Sequence, residues 1–130
     1  MAAELAPLGA RLIGDGQVSF RVWAPGAKLV AVAVGGSETA LVSEGPGTHA
    51  TTLRAAAGDD YMFVVDGTPL ADPSSRWQPE GLRGPSRVID VSARAPFEPP
   101  AVGDLVIYEL HVGTFSEQGT FDGAIPYLRE

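Results

Sequence analysis

The sequence predicts a mainly β fold: a sandwich of short strands, followed by the opening βα unit of an α/β barrel. Three observations predict it. Apolar residues alternate with polar ones in short runs along residues 1–92, which is how half-buried strands read. The 130 residues include 16 glycines and 11 prolines, so turns are frequent and strands short. After residue 104 the pattern changes to one nearly continuous apolar run, a glycine-containing loop and the opening of a helix.

The clearest strand is QVSFRVW, residues 17–23, with Val18, Phe20 and Val22 on one face and Ser19, Arg21 and Trp23 on the other. APGA follows as a turn, and KLVAVAV, residues 28–34, is the next strand, broken by Gly35-Gly36. Weaker strand signals lie at residues 39–42 and 48–54, the latter carrying His49, read as a surface strand residue. Asp59 and Asp60 follow Gly58 at a strand entry and read as turn chemistry, not as metal ligands. Residues 61–65 form a strand that ends in Asp66-Gly67, a pair suited to a two-residue hairpin because both positions tolerate positive φ. A long loop over 72–85 precedes a last strand at 86–91. About seven short strands separated by turns fit an immunoglobulin-like sandwich.

Residues 93–103 read as a linker stiffened by Pro96, Pro99 and Pro100. Beyond it, LVIYELHV is apolar on both faces, the mark of a strand in a parallel sheet covered by helices. The GTFSEQGTFD loop and GAIPYLRE then read as the first βα unit of such a sheet, with Pro126 confined to a helix's first turn. The expected organisation is a sandwich over 1–92, a linker over 93–103, and the first strand and helix of a truncated barrel over 104–130.

Composition excludes several classes of function. Nine basic against 16 acidic residues give a net charge of −7, without the basic stripe of a nucleic-acid surface. No cysteine is present, so neither disulfides nor thiolate metal sites arise. The start of the sequence lacks a basic segment followed by an unbroken apolar one, and no run approaches a membrane span, so a cytoplasmic protein is expected. Neither a cofactor nor a metal is expected.

Two stretches carry a family resemblance. VSFRVWAPGAKLVAVAV resembles the N-terminal sandwich, of the E-set type and grouped with glycogen-binding modules, found in α-amylase superfamily enzymes that act on α-glucans. VIYELHVGTF with GTFDGAIPYL is similar to the first strand and helix of their barrel. ADPSSRWQPEGLRGPSRVID is more discriminating, and resembles the proline- and glycine-rich loop of the maltooligosyltrehalose trehalohydrolase family. Arg83 departs from that pattern, where histidine is expected before GPS.

The resemblance implies a retaining glycosidase that releases trehalose from maltooligosyl trehalose by cleaving the adjacent α-1,4 bond. Such chemistry needs two carboxyl groups about 5–5.5 Å apart. In the family, the nucleophilic Asp, the acid/base Glu and a third Asp belong to later barrel strands. No residue of this chain is therefore assigned a catalytic role, and the chain alone is expected to be inactive. The partners implied are maltooligosyl trehalose or another α-1,4-glucan and the rest of the barrel.

Glu109 and His111, two apart on the expected strand, share a face and could line the barrel interior; a hydrogen-bonded pair bracing the barrel is the alternative. Trp23 is expected in a packing position. Trp77, Arg76, Arg83 and Phe97 are expected at the junction of sandwich and barrel, the arginines through carboxylate pairing. Two rival readings are an independent glucan-binding module and the N-terminal region of a glycogen branching enzyme.

Overall fold

The computed structural model describes residues 6–92 and 97–128. The chain divides into two compact units, Met1–Arg94 and Ala95–Glu130. The expected linker falls partly on residues 93–96, outside the described ones.

Among the described residues of the first unit, nine strands form two antiparallel sheets. One has the order β1(Gly9–Gly14), β2(Gln17–Trp23), β6(Thr48–Arg54), β5(Val42–Gly45). The other has the order β4(Ser37–Ala40), β3(Val30–Val34), β7(Asp60–Val65), β8(Thr68–Leu70), with β9(Ser86–Arg87) also on β7. Register explains the core. Phe20 lies opposite Ala10 and Thr51, and Val18 opposite Leu12 and Leu53, so one face of β2 and its neighbours points inward. Val32 lies opposite Phe63 on the facing sheet, and Val34 opposite Tyr61. The two inner faces meet where the Phe20 and Tyr61 rings pack edge-on at 5.1 Å, with Phe63 edge-on to Tyr61 at 5.9 Å. This is the sandwich that the alternating runs predict.

Several strand bounds differ from expectation, each for a local reason. β3 begins at Val30, not residue 28, because the N–H groups of Lys28 and Leu29 donate to Asp66 Oδ1 at 2.9 and 2.8 Å. The segment expected at 39–42 is two strands in different sheets. Leu41 is the crossing point, buried in the core, with its N–H on the Val30 carbonyl at 2.8 Å. The strand expected over 86–91 keeps two residues, although Val88 still exchanges hydrogen bonds with Gly58 and Asp59 at 2.9 Å each. Strands β1 and β8 carry too few buried residues to show in the pattern. The Asp66-Gly67 hairpin is present, with φ of 49° and 83°, and joins β7 to β8.

The second unit departs further. Residues 105–110 form no strand, because no partner strand lies beside them among the described residues and a ladder needs two. Helix α1(Val112–Phe115) occupies the end of the expected strand. Helix α2(Phe121–Ala124) follows, capped by Thr120, whose Oγ1 accepts from the Gly123 N–H at 3.1 Å. It runs into a 3-10 turn at Ile125–Leu128, which places Pro126 in a first turn, where its missing N–H is tolerated. Phe115 packs edge-on to Tyr108 and Tyr127 at 6.3 and 5.8 Å.

Candidate functional site

The loop over residues 72–85 carries the discriminating motif. Its root is a buried polar cluster. Asp72 is 2% exposed, its Oδ2 accepts from the Tyr61 hydroxyl at 2.5 Å, and its Oδ1 accepts from the Ser74 N–H at 2.7 Å. The Asp72 N–H donates to Oγ of the fully buried Ser86 at 3.1 Å. Burial pushes the Asp72 carboxyl above the ordinary aspartate value, while Tyr61, Ser74 and the Arg76 charge pull it back. Burial, reinforced by Asp72, raises Tyr61 as well.

The tip of the loop is held by cations. Arg76 Nη1 donates to the Ala10 carbonyl at 3.0 Å, which ties the tip to β1. The Arg87 guanidinium carbon lies 5.0 Å from the centroid of the Trp77 ring, and the same group grips Asp60 through two bonds of 2.6 and 2.8 Å. The Arg87 N–H donates to the Trp77 carbonyl at 2.9 Å. Asp60 is held below its ordinary value by the Arg87 hydrogen bonds, with Arg87's charge adding to them. Beside the loop, a groove of about 550 Å³ is lined by Arg11, Gln17, Arg76 and Asp90, among others.

The expected site residues divide between the units. Trp77 is half exposed at 49%, and Leu82 in the same loop is almost fully exposed. Arg76 bonds a backbone carbonyl, not a carboxylate, and Arg83 forms no ion pair among the described residues. Phe97 and Glu109 are exposed. Glu109 and His111 do not share a strand face, since no strand forms. Glu109 lines an apolar pocket of about 530 Å³ with Tyr108, Phe121, Ile125 and Leu128, whereas His111 Nδ1 lies 3.2 Å from Thr114 Oγ1 at the start of α1.

Trp23 is not packed. It is 59% exposed, on the outer face of the β1–β2–β6–β5 sheet opposite Thr48. Alternation explains it: Val22 points inward, so Trp23 cannot. Next along that face, Arg21 pairs with Glu44. His49 faces the other way, opposite Val22, and is half-buried instead of lying on the surface. The Tyr61–Asp72 and Asp60–Arg87 contacts were not expected from the sequence. A tyrosine in register with core phenylalanines was the available signal, because its hydroxyl needs a partner inside.

No protein-family model matches the sequence. Similar proteins do. The malto-oligosyltrehalose trehalohydrolase of Deinococcus radiodurans is 39% identical over 126 residues, covering 92% of this chain and 21% of the relative. That of Saccharolobus solfataricus is 37% identical over 131 residues, covering 94% and 23%. By sequence, the chain is similar to malto-oligosyltrehalose trehalohydrolases over most of its own length. It spans about a fifth of the length of these relatives. Among solved structures, a candidate alpha amylase of Salmonella typhimurium superposes with a TM-score of 0.80 at 33% identity, over 93% of this chain and 22% of that one. A Paenibacillus barengoltzii pullulanase, solved with maltohexaose and α-cyclodextrin, gives 0.64 at 25% identity over 85% and 20%. The fold is thus the β-sandwich found in α-amylase-family enzymes. No helix among the described residues is long and apolar enough to cross a membrane.

Proposed function

We propose that this chain is the N-terminal portion of a cytoplasmic glycosidase that frees trehalose from maltooligosyl trehalose, with the sandwich as a structural accessory to a catalytic barrel. The observation that carries the reading is the sequence match to trehalohydrolases, at 39% identity along 92% of the chain. The 72–85 loop supports it, because the motif that sets this family apart is built here around a buried Asp72. In this reading Trp77, Arg76, Arg83 and Phe97 meet the barrel, and Glu109 and His111 support its interior. All six are exposed in this chain alone, as surfaces awaiting a partner would be.

Two assays test the proposal. The purified chain is expected to release no trehalose from maltooligosyl trehalose above a buffer blank. Grafted in place of the matching region of the Deinococcus radiodurans enzyme, it is expected to support trehalose release. A folded, soluble chimera without that activity overturns the reading, as does enzyme-dependent trehalose from the chain alone.

A second reading is favoured by one observation. Trp23 stands 59% exposed on the outer sheet face beside Thr48 and the Arg21–Glu44 pair. An exposed indole next to hydroxyl and charged groups is suited to stacking a neutral sugar, so a glucan-binding module is the alternative.

A further inference from the structure

We propose that Asp72 and Tyr61 form a latch that closes the 72–85 loop on the sandwich. Releasing it opens the loop as a unit while the two sheets stay paired. The inference does not depend on the function proposed above.

The argument rests on where burial lies. The sheets are held by an apolar core in which Val18, Phe20, Val32 and Phe63 are essentially inaccessible. The loop contributes no apolar side chain to that core: Trp77 is 49% exposed and Leu82 87%. What holds the loop is polar. Within it, the Ser75, Gly81 and Gly84 N–H groups bond carbonyls three residues back, local turns that need no support from the sheets. Towards the sheets, Arg76 and Arg87 bond at partly buried positions, where water still competes for the same groups. Asp72 anchors the loop from inside, because its Oδ2 and its N–H are bonded to the buried Tyr61 and Ser86 of the β4–β3–β7–β8 sheet and its β9 strand.

A buried carboxylate that loses a partner is costly to leave in place, so removing the Tyr61 hydroxyl drives Asp72 outward. The loop, which has no apolar anchor of its own, follows. The sheets do not, because Tyr61 keeps its ring contacts with Phe20 and Phe63.

The experiment uses the whole chain carrying Trp23→Phe, which leaves Trp77 as the one tryptophan. Tyr61→Phe and Asp72→Ala are compared with this parent by hydrogen exchange and by acrylamide quenching of Trp77. Loss of the latch is expected to speed exchange across residues 73–85 by about tenfold or more, as one unsatisfied buried group implies. Trp77 quenching should rise with it, while strands β2 and β7 exchange as in the parent. Unchanged exchange across 73–85 in Tyr61→Phe overturns the proposal. So does an equal acceleration in β2 and β7, which would make the contact part of global stability. Should Asp72→Ala fail to fold, Tyr61→Phe decides, because it removes a single oxygen and keeps the ring.

Discussion

Arg87 serves Trp77 and Asp60 at once: its guanidinium lies 5.0 Å from the indole centroid and makes a bidentate pair with the carboxylate. Asp60 and Arg87 are directly opposed in the β7–β9 pairing, so the ladder itself sets the pair's geometry. The indole is added from the loop. One face of Trp77 is therefore taken, which limits what it can offer a ligand.

That arrangement predicts opposite titrations for two aspartates. Asp60 should titrate below 3.8, held down by Arg87. Asp72 should titrate above 3.8, pushed up by burial. The signs follow by linkage. Asp60 contributes stability above its unfolded value and loses it as pH falls through its lowered folded value. Asp72 contributes below its unfolded value and loses that contribution as pH rises through its raised folded value. Carboxyl-carbon NMR titration of Arg87→Ala should move Asp60 upward and leave Asp72 in place. A joint shift of both would refute the assignment.

Gly47 predicts a large effect from a small change. Its φ is +76°, and an added Cβ would lie 2.5 Å from Pro25 Cβ and 2.6 Å from Pro25 Cα. The Gly47 carbonyl also accepts from the Ala24 N–H at 2.7 Å, so the two turns cannot separate freely. Gly47→Ala should cost at least about 2 kcal/mol from strain and overpacking together. Gly26→Ala, where a Cβ meets nothing within 4 Å, should be close to neutral. Urea midpoints compare the two, and similar midpoints would count against the close approach.

These contacts mark how much the sequence could tell. Strand β2 was legible because Val18, Phe20 and Val22 all reach the core, and the Asp66-Gly67 turn because its chemistry is local. Strand β1 was not, since Ala10 is its one buried apolar residue. The Tyr61–Asp72 bond spans 11 residues and exists only once β7 and the loop are placed in three dimensions. Trp23 is the instructive miss. Its outward direction was in the alternation, but a tryptophan's general tendency to burial outweighed it. In the candidate site, the motif and Trp77 could be read from the sequence, but the partners that hold them could not.

The exposure of Trp23 gives a prediction that separates the two functional readings. A lone indole is one stacking platform, and Trp77 has a face occupied by Arg87. The accessory reading therefore expects no saturable binding of maltoheptaose at micromolar concentrations. Tryptophan fluorescence titration checks this. Saturable quenching that vanishes in Trp23→Ala would establish the binding module instead.

The last prediction concerns residues 105–110. Val106 is 98% exposed and Ile107 84%, an unusual state for adjacent β-branched apolar residues. Among the described residues, 106–110 form no backbone hydrogen bonds. The helices that follow span four residues each, too few to be stable without packing. An extended apolar segment with open edges invites pairing with another strand, whether from a longer chain or from a second copy. In a dilute monomer, amides across 105–110 should exchange near the rate of a free peptide, while β2 and β7 stay protected. At high concentration, exchange there should slow as copies associate, and Ile107→Asp should abolish the concentration dependence by placing a charge on that segment. Slow exchange across 105–110 in a demonstrated monomer would mean that the segment is already paired, and this account of it would fail.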